Sequence, residues 1–557
     1  MPTTKSRYRA FVTFTMAALA TFSFIFLYIA SSSSPSTINV PTLSSSSHHH
    51  HHDKTNPNHV TVSLIDSRNI TLGPTSLNLN SYYHVSMNTL EHSHILTPPS
   101  TPLTFSIKNT LPYTTNSTPS LSTNDLPLRL SLPSSTISYH LHGYHGSFPS
   151  SFDDFHNSIL PSTTSEITYS LDKTVNHMFY HLHHHTTSTS VTLECLENGG
   201  SSSIILQDTL KIPQKIIHLT TLNFFDGQLR SVKGARSLTS DLGVGVKGDT
   251  GEFRKTSFLV NGEFKPTVVG GRRLRICNAG VGDTILLNFT MPRIEIARDG
   301  VFFSQPKPKN EQQLTILPPG SRLDVIVNGV GGVYSSCNLG GDPNGDYIGE
   351  KTDVHCWLGE GVVKGILKDD ILLFNVDLPE QLVDIKFDEN ITLPQHSIYN
   401  SKKSLLSIPT TSSIIPYEFK YYTGPKIPSP PSNIPSTIYG VNLKPFSPKT
   451  SITVCEGRIS EWKIINDSTT NHPFHLHMNH FQIISFKCYN SLKCENLDYE
   501  IGEWRDTITL PSPGEVIVRF KPEGWTGMTL AHCHIFGHED RGMAVNVEIR
   551  EEGNCPY

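Results

Sequence analysis

The sequence predicts an all-β chain in which three β-sandwich domains follow one another behind an N-terminal membrane anchor or signal segment. Three observations carry that expectation. There are 38 Gly and 38 Pro among 557 residues, and the apolar residues fall in short Val/Ile/Thr/Phe runs bounded by turns, the signature of many short strands. A strand that ends in Asn before a turn recurs in three successive segments, at Ile107-Lys108-Asn109, Ile276-Cys277-Asn278 and Ile464-Ile465-Asn466. The length also calls for several cores, because a single core stops growing beyond roughly 250–300 residues.

The elements follow in chain order. Residues 1–30 carry Lys5, Arg7 and Arg9 ahead of a mostly apolar stretch from Phe11 to Ala30. A cleaved signal has an apolar stretch of roughly 7–15 residues, whereas a spanning helix needs about 20. Tyr28 also spoils a small-x-small cleavage site ending at Ala30. The segment is therefore read as an uncleaved anchor, basic end cytosolic and the rest extracellular or lumenal. A cleaved signal followed by secretion is the alternative. Residues 31–57 form a Ser/Pro/Thr-rich stretch with His48 to His52 in a row, read as a low-complexity linker rather than a metal-collecting tether.

The three sandwiches are expected over about 58–213, 214–375 and 376–557. Runs such as Leu103-Thr104-Phe105-Ser106-Ile107 in the first, Leu274-Arg275-Ile276-Cys277 in the second and Val516-Ile517-Val518-Arg519-Phe520 in the third read as their strands. The second also contains Leu317-Pro318-Pro319-Gly320-Ser321-Arg322-Leu323-Asp324-Val325.

Charge bounds the partners. A net charge of −5, with 17% charged residues, gives no basic field for nucleic acid. Passage through the secretory route is compatible with five Asn-x-Ser/Thr sequons, at Asn69, Asn116, Asn288, Asn390 and Asn466. Nine cysteines minus Cys533, needed below, leave eight, an even number that suits disulfides. Cys488/Cys494 and Cys337/Cys356 are the expected local pairs. Cys195, Cys277, Cys455 and Cys555 pair in an order that spacing does not fix.

Four histidine clusters carry the chemistry: His140-x-His142; His181-x-His183; His472-x-x-His475-x-His477; and His532-Cys533-His534 with His538 and Met543. Thiolate, imidazole and thioether together are the donor set of a soft-ligand copper that carries single electrons. Successive side chains on a strand point to opposite faces, so Cys533 faces one way while His532 and His534 face the other. Such a strand can serve two metal sites back to back. A lone His-x-His means little among 28 histidines, but four clusters, one joined to Cys and Met, agree on one metal chemistry.

These motifs resemble those of the multicopper oxidases, the laccase-like family of three cupredoxin domains. The resemblance covers about 58–557. His140-Leu141-His142-Gly143 and Phe179-Tyr180-His181-Leu182-His183 match the first two copper motifs. His472-Pro473-Phe474-His475-Leu476-His477 and His532-Cys533-His534-Ile535 through Met543 match the third and fourth. Leu141, where Trp is frequent, and Leu182, where a small or polar residue is, depart from the pattern without removing a donor.

The resemblance implies cupredoxin-like Greek-key domains holding four coppers. Cys533, His472, His538 and axial Met543 would bind one type 1 copper. His140 and His475 would bind one type 2 copper, and His142, His181, His183, His477, His532 and His534 a type 3 pair. His145, His156, His177, His184 and His185 are read as supporting or exposed histidines. Two acidic features are candidate proton carriers: Glu539, next to His538, and Asp153 or Asp154, eleven or twelve residues past His142. Asp506 is a candidate for orienting a copper ligand, or else for an ordinary salt bridge with Arg505 or a neighbour.

The function so implied couples one-electron oxidation of a small reducing substrate to four-electron reduction of dioxygen to water. Phenols, aromatic amines, Fe(II), Mn(II) and Cu(I) are the substrate classes of the family. The eight methionines include no Met-rich copper-handling insert, which argues against Cu(I). A non-catalytic extracellular copper binder on the same fold is the rival, because fold alone does not give function. A copper nitrite reductase would have fewer domains and an incomplete type 3 set.

Overall fold

The computed structural model describes residues 58–72, 75–87, 95–97, 102–110, 137–145, 159–160, 162–171, 176–183, 201–225, 228–229, 254–280, 282, 284–311, 313–335, 371–379, 382, 391–394, 404–408, 414–423, 439–449, 451–468, 471–489, 499–511, 513–539 and 542–555. The expected N-terminal anchor and the His48–His52 linker lie outside them. Among the described residues no helix is long and apolar enough to cross a membrane.

Among the described residues six sheets fall in three sequential pairs. Four-stranded sheets of Asn58–Leu72, Thr75–Met87, Leu103–Asn109 and Thr164–Tyr169, and of Ile95–Thr97, Tyr139–His142, His177–Leu182 and Ser201–Leu206, make the first. A seven- and a five-stranded sheet between Gln214 and Asp377 make the second. A six- and a five-stranded sheet between Ile414 and Arg550 make the third. Each sandwich mixes parallel and antiparallel neighbours. Ile459–Asn466, for example, runs parallel to Ile414–Thr423 and antiparallel to Gly514–Phe520. Such crossings between sheets mark Greek-key winding rather than a simple meander.

The third sandwich shows how pattern becomes packing. Ile459–Asn466 alternates half-buried and buried positions, so Trp462 and Ile464 turn inward while Glu461 and Lys463 turn out. Trp462 stacks on Phe419 with centroids 5.7 Å apart, meets Phe520 edge-on at 5.2 Å, and reaches Phe474 in the facing sheet at 6.4 Å. Phe474 belongs to His472–Leu476, so this aromatic core seats a strand that carries two of the histidines, His472 and His475.

The recurring terminal Asn has one job in all three sandwiches. The buried amides of Asn109, Asn278 and Asn466 donate to the carbonyls of Ile159, Leu317 and Leu510 at 3.0, 2.8 and 3.4 Å. The side-chain oxygens of Asn278 and Asn466 accept the N–H two residues on, from Gly280 and Ser468, closing Asx turns. Asn466 is fully buried, so that sequon is not an acceptor in the folded chain.

The cysteines depart from even pairing. Cys455 bonds Cys555 across 100 residues, and Cys488 is bonded to a partner outside the described residues. Cys277 is a free, buried thiol on the strand Arg273–Asn278. Loop-closure entropy makes Cys455–Cys555 stabilising in proportion to the logarithm of its span. Cys455→Ser/Cys555→Ser is expected to lower the unfolding free energy by about 2–4 kcal/mol, read from urea titration. An unchanged midpoint would rule out that contribution.

Candidate metal centre

Two antiparallel strand pairs and one short helical turn assemble the site. In the first sandwich Tyr139–His142 pairs antiparallel with His177–Leu182, placing His140 opposite His181 and His142 opposite Phe179. Tyr139 and Tyr180 turn into the core, where their rings stack at 5.3 Å, so the histidines occupy the other face. In the third sandwich His472–Leu476 pairs with Gly527–Cys533, aligning Phe474 with Cys533 and His475 with His532. The pleat then sorts the donors. Cys533 shares a face with Phe474 and His472, while His475, His477 and His532 face the opposite way.

After the strand, Phe536–Glu539 forms a single helical turn, held by N–H groups of His538 and Glu539 on the Ile535 carbonyl at 2.8 and 3.0 Å. Met543 closes the segment. Its N–H bonds the His538 carbonyl and its carbonyl accepts the Cys533 N–H, both at 3.0 Å, so its backbone lies beside that of Cys533.

Four groups of donors result, all buried, each with ligand atoms within 4.8 Å of one another: His472, Cys533 and His538; His140, His142 and His475; His142, His181 and His534; and His183, His477 and His532. In the first, Cys533 Sγ lies 3.6 Å from His472 Nδ1 and 3.7 Å from His538 Nδ1. Tyr439 stacks over His538 with centroids 4.3 Å apart, and Ser468 Oγ meets His472 Nε2 at 3.0 Å. In the others, His477 Nε2 and His183 Nε2 approach His532 Nε2 to 3.1 and 3.5 Å, and His534 Nε2 approaches His142 Nδ1 to 3.3 Å.

The outward nitrogens are held by other groups. Glu539, fully buried, lies 3.0 Å from His532 Nδ1 and 3.5 Å from His183 Nδ1. The Asp506 carbonyl takes His475 Nδ1 at 2.8 Å, and its carboxylate lies 3.4 Å from His142 Nε2. Fixing one ring nitrogen aims the other at the centre. His475 Nε2, buried among the imidazoles, has no hydrogen-bond partner among the described residues.

Electrostatics suit a cation. Burial, reinforced by neighbouring imidazoles, holds His142, His183, His475, His477 and His534 well below the usual histidine range. Burial alone brings His472 to about 3. These rings are neutral at pH 7, the form that binds metal. Burial also pushes the Cys533 thiol up, so a thiolate there needs a metal to displace its proton.

The same shifts bear on the copper-free chain. Below pH about 6.5 the unfolded histidines take up protons that the folded ones refuse, so stability is retained above that pH and lost as pH falls. The expected slope is about 1.4 kcal/mol per pH unit for each such histidine. Urea melts of the copper-free protein at pH 7 and pH 5 test this, and equal midpoints would refute it.

Of the remaining residues singled out in the sequence, His145 bonds the Met478 carbonyl at 2.8 Å and His177 meets Ser203 Oγ at 3.3 Å, so both support packing. Asp153, Asp154, His156, His184 and His185 lie outside the described residues. Asp506 bonds not Arg505 but Arg322, whose two terminal nitrogens reach its carboxylate at 2.7 and 2.6 Å. Burial would raise the Asp506 carboxyl, but that guanidinium, with His480 and His142, holds it well below the carboxylate range. Sequence reading missed Arg322, Asp299 and His480. The Pro-Pro-Gly turn before Arg322 was their one visible signal.

Consecutive β-sandwiches carrying a Cys/His/Met cluster beside converging imidazoles define a copper protein, since that soft and borderline donor set suits copper. Comparison with known proteins agrees. The sequence profile of the multicopper oxidases matches residues 422–553. A bilirubin oxidase of Albifimbria verrucaria is 23% identical over 421 residues, 72% of this chain and 65% of that protein. Multicopper oxidase LPR1 homolog 5 of Oryza sativa subsp. japonica is 23% identical over 462 residues, 72% of this chain and 66% of that one. The chain thus spans about two thirds of the length of these relatives. A multicopper oxidase from Campylobacter jejuni, described as a metallo-oxidase, shares the fold, with TM-score 0.62, 20% identity, and 89% and 91% of the two chains covered. Over residues 422–553 the chain carries the multicopper oxidase profile, and copper is the cofactor that its donor groups fit.

Proposed function

We propose that the chain is an oxidase coupling one-electron oxidation of a small reducing substrate to four-electron reduction of dioxygen to water. The observation that carries this is the strand ending at Cys533, which presents a thiol to one buried donor cluster and His532 to another. In this reading Cys533, His472, His538 and Met543 hold type 1 copper. His140 and His475 hold type 2 copper, and His142, His181, His183, His477, His532 and His534 hold the type 3 pair. When bound, the four coppers supply the one-electron redox steps that the side chains cannot.

The chain's own residues do the rest. The Cys533–His532 peptide gives a covalent path between clusters, shortened by the contact of His532 Nδ1 with the Cys533 carbonyl at 3.0 Å. Asp506 is held as a carboxylate by Arg322, which suits it to orienting histidines. Glu539 is the acid suited to holding a proton beside the dioxygen centre, and Asp153 or Asp154 is assigned the same kind of role near type 2 copper.

The three sandwiches are assigned to 58–213, 214–375 and 376–557, with the preceding segment routing the chain into the secretory pathway as an anchor or cleaved signal. The relatives' names support both organic and metal-ion reductants.

An oxygen electrode with the copper-loaded chain and, separately, a phenol, an aromatic amine, Fe(II) and Mn(II) tests the proposal. Uptake with at least one of them, without release of hydrogen peroxide, is expected. Four bound coppers with no uptake from any reductant would instead favour a non-catalytic copper binder.

A further inference from the structure

All twelve proposed donors come from residues 140–183 and 472–543, yet the middle sandwich reaches the same centre through Arg322. We propose that Arg322 is a positioning residue for the trinuclear copper centre, fixing Asp506 and, through Asp506, the imidazoles of His142 and His475. The inference rests on the copper assignment proposed above.

Arg322 is fully buried, and each of its five N–H donors has an acceptor. Nη1 and Nη2 form two parallel bonds to Asp506 Oδ1 and Oδ2 at 2.7 and 2.6 Å. The other three donors reach carbonyls, from Nη1 to Gly320 at 3.0 Å, from Nη2 to Asp299 at 2.9 Å and from Nε to His177 at 3.2 Å. Those carbonyls belong to two different sandwiches, so the fork cannot rotate without breaking bonds in both. A lysine has neither the fork nor five donors.

The far end of the clamp meets the donors. Asp506 Oδ1 accepts from Thr507 Oγ1 at 2.9 Å and lies 3.4 Å from His142 Nε2. Its Oδ2 lies 3.2 Å from His480 Nε2, and its backbone carbonyl holds His475 Nδ1 at 2.8 Å. Two glycines keep the approach open. Gly143, at φ +85°, has the Arg322 guanidinium where a Cβ would stand. Gly320, at φ +87°, would put a Cβ 2.6 Å from His534 Cδ2 and 3.0 Å from His142 Cε1. The loop of the middle sandwich therefore packs directly on two proposed copper ligands.

A buried ion pair that only joins domains would have no such reach, and the test separates the two roles. Arg273 is the control. It is equally buried, and it pairs with Asp208 and Asp324 at 2.8 and 2.5 Å without touching any donor. Copper-loaded wild type, Arg322→Gln, Arg322→Lys and Arg273→Gln would be dialysed against a chelator, then assayed for copper per chain, type 1 absorbance and type 2 electron paramagnetic resonance. Arg322→Gln is expected to keep its type 1 absorbance but to hold the other coppers about 10–100-fold more weakly, with an altered type 2 spectrum. Arg322→Lys should lie between it and wild type. Arg273→Gln should melt earlier yet keep four coppers.

An Arg322→Gln protein with four coppers and a wild-type spectrum overturns the proposal. So does an Arg273→Gln protein that loses the same coppers. Should Arg322→Gln fail to fold, Asp506→Asn decides, because an unchanged type 2 spectrum there also overturns it. Wild type that never reaches four coppers would sink the copper assignment itself, a separate failure visible in the same experiment.

Discussion

Cys533→Ser is expected to abolish the intense blue absorption of the copper-loaded protein and to cut oxygen uptake by more than about 100-fold, the upper end of what loss of a ligand's hydrogen-bond partner costs. Removing the thiolate takes away the one soft anionic donor of the His472/Cys533/His538 group and the covalent link to His532. The fold should survive. Sulfur is replaced by oxygen in a fully buried position beside Phe474, and a hydroxyl left unbonded there costs about 1–3 kcal/mol. Copper linkage separates this cost from the metal effect. A ligand at a thousand times its dissociation constant stabilises the folded state by about 4 kcal/mol, so wild type should gain stability as the type 1 copper binds and C533S should not. Absorption spectra and paired melts of loaded and copper-free forms check both parts. A C533S protein that is still blue would remove Cys533 from the type 1 site.

Glu539→Gln is expected to leave the blue absorption and copper content unchanged while lowering kcat by about 10²–10⁴-fold, the range for losing a positioned proton carrier. The geometry favours this split. A glutamine of the same shape leaves His532 Nδ1 on the Cys533 carbonyl, 3.0 Å away, so ligand orientation persists. What disappears is a carboxyl that can hold and release a proton. KM for the reductant should hold, because Glu539 is fully buried among the imidazoles and out of reach of a docked substrate. Steady-state oxygen uptake with parallel metal analysis decides the matter. A kcat within twofold of wild type would leave Glu539 an orienting group alone, and loss of copper would make it part of the ligand scaffold.

How much of this was legible in the sequence follows from the range over which each feature is encoded. The strands and the grouping of His140 with His142, or of Cys533 apart from His532 and His534, depend on side-chain alternation over two or three residues. The string of residues therefore carries them. The Asn that ends a strand in each sandwich was visible as a repeat, although its hydrogen bonds to neighbouring strands were not. The supporting groups are encoded at long range. Arg322 meets Asp506 across 184 residues, and no local pattern says which of two nearby charges Asp506 prefers. Disulfides fail for the same reason. Even counting predicts pairing for Cys277, but it stands as a free thiol inside a buried strand, and only the sheet brings Cys455 and Cys555 together. The N-terminal segment and Asp153 or Asp154 lie outside the described residues.

The register that aligns Phe474 with Cys533 and His475 with His532 has a consequence for which donors share a metal. A slip of one residue would exchange the two faces of the strand, turning the thiol towards the imidazole cavity and an imidazole into the aromatic core. The strand pairing thus sorts the donors, keeping sulfur apart from the all-nitrogen chamber. An insertion of a single residue between Leu530 and His532 is therefore expected to mix the two donor groups without deleting one donor.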